Sequence, residues 1–130
     1  MKKKVLIVDA NITVLQDYKR LLQSHDFEVF TAQNAAVALD ICKRSDPHVI
    51  LLDTNLSGES GFSVCQKIKT DDQFKNSVVL LMSDHPNQLE WKKHFFELGA
   101  SSFLGKPIHT DILLTIIKSH FPDRPLWHDY

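Results

Sequence analysis

Short apolar runs alternate with longer stretches in which apolar residues recur every three or four positions, and the alternation predicts five strand–helix units. The first run, residues 5–8, is rich in β-branched residues and stops at Asp9. Asn11 then caps a helix whose stripe is Val14, Leu15, Tyr18, Leu21 and Leu22, ending near His25. A second strand covers 27–30, and Asn34 caps a helix carrying Ala35, Ala38, Leu39 and Cys42 until Ser45, Asp46 and Pro47 end it. The third run, 48–52, delivers Asp53 to its mouth. Turn-prone residues at 57–61 lead into a helix from Phe62 to about Lys69, with Phe62, Cys65 and Ile68 on one face.

A fourth strand, 78–82, closes at Ser83 and Asp84. Trp91, Phe95 and Leu98 mark a fourth helix that Gly99 terminates in a left-handed cap, and a brief fifth strand, 102–105, precedes Lys106 and Pro107. The last helix places Ile112, Leu113, Ile116, Ile117 and Phe121 on one side and is stopped by Pro122. Strict alternation of buried strands and amphipathic helices predicts an α/β fold: a doubly wound, five-stranded parallel sheet with helices on both faces. One folded unit is expected over residues 1–121. Residues 122–130 have no period and read as a tail or the start of a linker, with Trp127 and Tyr130 favouring partial docking.

At 130 residues, with 43% hydrophobic and 24% charged, the chain has the size and composition of one soluble domain and offers no apolar stretch long enough for a membrane. Fifteen basic residues against sixteen acidic ones give a net charge of −1, which supplies no field for direct nucleic acid binding. Cys42 and Cys65 fall at apolar helix positions, as reduced core thiols of a cytoplasmic protein do. The seven histidines show no metal-ligand spacing.

Charge alone leaves function open, but the strand ends narrow it. Asp9, Asp53, Ser83 and Lys106 all follow or end strands, and in a sheet of this kind chemistry collects at that edge. A nucleophilic carboxylate, a second acid to help hold a divalent cation, a hydroxyl and an ammonium suit capture of a phosphoryl group.

These residues give the chain a resemblance to the receiver domain of two-component response regulators. It rests on Val8–Asp9, Leu51–Leu52–Asp53–Thr54–Asn55 with Gly61 beyond, Ser83, and Gly99–Ala100 leading to Phe103 and Lys106–Pro107. The resemblance implies a flavodoxin-like strand order 2-1-3-4-5. It implies that Asp53 accepts a phosphoryl group from a phosphohistidine of a histidine kinase or phosphotransfer protein, in a phosphoacceptor that is not otherwise an enzyme. It implies that Mg²⁺ is held by Asp9, Asp53 and the backbone carbonyl of Asn55, and that Lys106 and Ser83 bind phosphoryl oxygens. Ser83 and Phe103 become the switch pair, and the bond before Pro107 is cis. An output domain or downstream protein would dock on the face of the fourth helix, fifth strand and fifth helix, where a homodimer is also an option.

Three positions depart from the pattern. Ala10 stands where the family carries a second acidic metal ligand, Asp84 where it prefers a small residue, and Ser57 where proline is common. Ala10 and Asp84 predict weak Mg²⁺ binding and phosphorylation that is slow or absent under ordinary conditions, and Ala10 supports the alternative of a degenerate pseudo-receiver that acts as a phosphorylation-independent interaction or dimerisation module. A flavodoxin-like cofactor binder lacks a glycine loop after strand one, and a haloacid dehalogenase-type phosphatase lacks its second acid after Asp9.

Overall fold

The strands carry apolar side chains on both faces, and this decides the layering. In the computed structural model, which describes residues 2–56, 58–84, 93 and 96–121, β1 (Lys4–Val8), β2 (Glu28–Ala32), β3 (Val49–Asp53), β4 (Val78–Ser83) and β5 (Ser102–Gly105) form one parallel sheet in the order β2-β1-β3-β4-β5. The helices are α1 (Ile12–Ser24), α2 (Ala35–Ser45), α3 (Gly61–Thr70) and, last in the chain, α4 (Thr110–Ser119). Lys93, Phe96 and Glu97 are also helical.

Val5, Ile7, Val49, Leu51, Leu80 and Met82 lie on one face against Leu15, Tyr18 and Leu22 of α1 and Leu113 and Ile117 of α4. The alternate residues Leu6, Val8, Ile50, Leu52, Val79 and Leu81 lie on the other, against Ala38 and Cys42 of α2 and Val64, Cys65 and Ile68 of α3. All twelve of these strand side chains are 0% exposed. A one-residue slip of any central strand would exchange its two faces and misfit both helix layers. The predicted doubly wound sheet is therefore the fold, and no helix among the described residues is long and apolar enough to cross a membrane.

Local signals place the helix starts. Asn11 accepts from the N–H groups of Thr13 and Val14, Asn34 from Val37, and Ser60 from Ser63, each satisfying donors that a helix leaves open at its first turn. Asp46 ends α2 at φ 50°, and Gly99 follows the helical Glu97 at φ 95°. Both cysteines are free and buried, and burial pushes each thiol up to about 11.

Several predicted boundaries move. The second strand starts at Glu28, because the Phe27 N–H closes the end of α1 on Leu22 O while Glu28 N–H begins the ladder on Lys3 O; it runs on to Ala32 opposite Val8. The third helix begins one residue early, at Gly61. The last helix stops at Ser119, short of Phe121. Ile112, expected on its buried side, is 54% exposed, since Leu113 and Ile117 take the sheet-facing stripe and a one-residue offset rotates Ile112 by about 100°. Trp91, Phe95, Ser57 and the 122–130 tail, with Trp127 and Tyr130, lie outside the described residues.

Leu51→Ala should lower stability by about 2–5 kcal/mol, read from the urea midpoint, because it opens a cavity at the fully buried centre of the sheet.

Candidate functional site

Register brings the acids together. β1 and β3 are neighbours with Val8 opposite Leu52, so the residues that follow, Asp9 and Asp53, leave the sheet side by side. Lys106 leaves from β5, three strand spacings of about 4.8 Å away from β1, so lysine and carboxylates must converge over the strand ends between them. Its backbone continues the β4–β5 ladder, Lys106 N–H donating to Ser83 O at 2.8 Å, and the side chain crosses the end of β4 to reach the acids. The Ile108 N–H then donates to the Tyr18 hydroxyl at 3.4 Å, which ties the loop to α1. The Lys106–Pro107 bond between these anchors is cis.

The result is a closed ion triad. The Lys106 ammonium lies 2.7 Å from Asp9 Oδ2 and 2.9 Å from Asp53 Oδ2, with the two acids 1% and 4% exposed and the lysine side chain 10%. The remaining carboxylate oxygens are held by the chain itself. Asn11 N–H donates to Asp9 Oδ1 at 2.8 Å and Asn55 N–H to Asp53 Oδ1 at 3.1 Å, so both acids make the same turn onto the amide two residues on. Sequence reasoning missed this, although the pattern Asp–x–Asn is written twice, at 9–11 and at 53–55. It also missed Tyr18, whose place in the α1 stripe concealed its polar end.

Burial raises the pKa of Asp53; the hydrogen bonds from Lys106 and Asn55 oppose this, and the neighbouring charge of Asp9 adds to it. Burial alone would lower Lys106, but its hydrogen bonds to Asp9 and Asp53 and the charges of both acids outweigh that and hold the ammonium above the usual lysine range. The cation is permanent at any working pH.

Behind Asp53 the backbone is crowded. A Cβ on Gly61 would come within 2.6 Å of Thr54 Cα and closer still to the Asp53 carbonyl oxygen, so only glycine lets α3 start here. Gly61 N–H donates to Thr54 O at 2.9 Å, and Asn55 bridges Ser60, which closes the loop.

The other predicted residues are distributed as follows. Ser83 is buried at the end of β4, opposite Gly105. Phe103 is half-buried, paired with Leu81 and packed on the α2/α3 side of the core. Ala10 is exposed, and its carbonyl accepts from Gln33 Nε2 at 3.4 Å. Asp84 is exposed and joins no three-membered acidic group among the described residues. Mg²⁺ needs only one or two carboxylates with water completing the shell, so the buried Asp9 and Asp53 pair fits it in donor chemistry, short of the third acid that Ala10 removes.

A family model for the response regulator receiver domain matches residues 5–118. The chain is 34% identical over 122 residues to the response regulator PleD of Caulobacter vibrioides, covering 92% of this chain and 26% of that protein. It is 29% identical over 116 residues to the response regulator GraR of Staphylococcus haemolyticus, covering 89% of this chain and 50% of that one. The chain thus spans half or less of these relatives. Among solved structures, the chemotaxis protein CheY4 of Vibrio cholerae superposes with a TM-score of 0.87 at 27% identity, covering 93% of this chain and all of that one.

Lys106→Met should cost about 3 kcal/mol at neutral pH, because it leaves two buried carboxylates facing each other without a cation. The sign with pH is fixed by the directions above. The folded state holds the Asp53 proton more tightly than the unfolded state, so its burial penalty is relieved as pH falls through the folded-state pKa. The Lys106 contribution is complete below the ordinary lysine value and is lost only as pH rises beyond it. The deficit of the variant against the native chain should therefore shrink on moving from neutral toward about pH 5, measured by urea unfolding; a deficit that grows in acid would contradict the charge assignment.

Proposed function

The chain belongs to the response regulator receiver domain family of two-component systems, and on that premise we propose that it is a phosphoacceptor in phosphorelay signalling, with Asp53 taking the phosphoryl group from a phosphohistidine of a histidine kinase or phosphotransfer protein. The observation that carries this reading is the Lys106 ammonium seated between Asp9 and Asp53 at the carboxyl edge of the sheet. A carboxylate oxygen of Asp53 attacks phosphorus, the phosphorus–nitrogen bond breaks with its electron pair returning to the imidazole, and an acyl phosphate forms.

The geometry prepares each part. Asn55 N–H orients the Asp53 carboxylate. Lys106 exchanges Asp53 Oδ2 for a phosphoryl oxygen while its shorter bond to Asp9 keeps it in place. Ser83, at the neighbouring strand end, donates to another phosphoryl oxygen, and its movement draws Phe103 further into the core. Mg²⁺, held by Asp9, Asp53 and the Asn55 carbonyl, supplies positive charge against the phosphoryl oxygens when bound. Asp53 is consumed and restored by hydrolysis, so the domain assists its own turnover without being an enzyme acting on a separate substrate.

Residues 1–121 are the signalling unit and 122–130 a tail or linker start, in a cytoplasmic protein. Phe96, six residues before β5, and Ile112, within α4, are exposed apolar side chains on the elements where an output domain, a downstream protein or a second copy docks. The pseudo-receiver alternative rests on Ala10: with one acid fewer, a single ammonium already engages both carboxylates, and the fold can serve as an interaction module whatever the state of Asp53.

Acetyl phosphate with Mg²⁺ should label Asp53 slowly, and Asp53→Asn should abolish the label. Rapid stoichiometric labelling would remove the argument for a weakened metal site, and none at all, with partner binding intact, would favour the pseudo-receiver. Ala10→Asp should tighten Mg²⁺ at least tenfold, about 1.4 kcal/mol, in a direct binding titration that needs no phosphorylation; equal affinity would overturn the role given to position 10.

A further inference from the structure

The opposite edge of the sheet carries a second concentration of charge, unconnected with Asp53. Strand starts and helix ends meet there, and between them lies a cavity of about 400 Å³ lined by Lys2, Lys3, His25, Asp26, Phe27, Lys118 and Phe121. Three ammonium groups thus face one carboxylate, in a chain whose net charge is −1. The single acid does little to balance them: Asp26 pairs with Lys2 at 3.6 Å, and both side chains are largely in solvent.

Helix ends explain part of the clustering, since their exposed carbonyls attract cations. Lys118, in the last turn of α4, is of that kind by position, but its ammonium reaches across to His25 Nδ1 at 3.3 Å. Lys2 and Lys3 belong to the strand side of the edge and have no helix end of their own. The Lys3 ammonium lies 5.8 Å from the centroid of the Phe121 ring. Phe121 in turn meets Phe27 at 5.9 Å in a tilted pair and the edge of His48 at 5.7 Å. The cavity therefore has cationic walls and an aromatic floor.

We propose that this cavity is a binding site for a small phosphorylated ring compound of the nucleoside monophosphate type, whose phosphate is received by Lys3 and Lys118 and whose ring rests on Phe121 and Phe27. The volume lies within the range of small-molecule pockets, and the two halves of the lining match the two halves of such a ligand. Lys2 is freed for the ligand at little cost, because its exposed pair with Asp26 is weak. The site stands apart from the triad, with the full length of the strands between them.

The probe is adenosine monophosphate, titrated into the full ¹⁵N-labelled chain with amide shifts as the readout. Saturable shifts are expected at residues 25–28 and 118–121. Adenosine alone and inorganic phosphate alone should each bind about tenfold more weakly, since each engages half of the lining. Lys118→Glu and Lys3→Glu, at exposed positions that leave the core untouched, should each weaken binding about tenfold or more. Lys106→Met and Asp53→Asn should leave it unchanged, which separates this outcome from phosphate capture at the carboxyl edge. The proposal is overturned by the absence of saturable shifts at about 10 mM probe, by shifts centred on Lys106, or by an affinity indifferent to Lys118→Glu.

Discussion

Two carboxylates buried at one edge of a sheet need a cation, and the architecture around that edge follows from meeting the need. Asp9 and Asp53 are adjacent because β1 and β3 are adjacent, and β1 and β3 hold their register because each strand buries apolar side chains on both faces. The cation comes from the far side of the sheet, so the Lys106 side chain must cross the end of β4, and Ser83 O and the Tyr18 hydroxyl hold the backbone from which it reaches. Removing Lys106 leaves two charges buried without a partner, which costs more than any single apolar contact in the core returns.

The same arrangement explains how a site can be rigid and still reactive. Each acid spends one oxygen on its own backbone and one on Lys106, so the carboxylates keep their positions when the ammonium shifts its weight from one to the other. Gly61 contributes by omission: its missing side chain is what allows the start of α3 to close down on Thr54 behind Asp53.

Much of this was legible in the chain. Strand and helix periods gave the element order, because buried strands and amphipathic helices differ in period, and the polar residues at strand ends gave Asp9, Asp53, Ser83 and Lys106. Boundaries were less legible where a hydrogen bond rather than a side chain decides them: Phe27 looks like a strand residue, but its N–H belongs to the end of α1. Ile112 was misplaced because a run of five apolar residues within positions 112–117 fits more than one helical face, and only packing selects Leu113 and Ile117. The reach of Lys106 to both acids was hidden for a different reason. Sequence patterns register which groups sit at strand ends but not how far a side chain reaches from one of them across the sheet.

Asp9 and Lys106 are 97 positions apart, and their contact closes a loop of most of the chain. Such a contact is among the last to be favourable as a chain orders, since its closure entropy is offset only when the intervening strands are in place. The triad is therefore also a measure of completeness: a chain that has formed β1 to β4 but not β5 presents two acids and no cation and repels itself at that edge. Charge balance at that edge and the arrival of the last strand are the same event in this molecule.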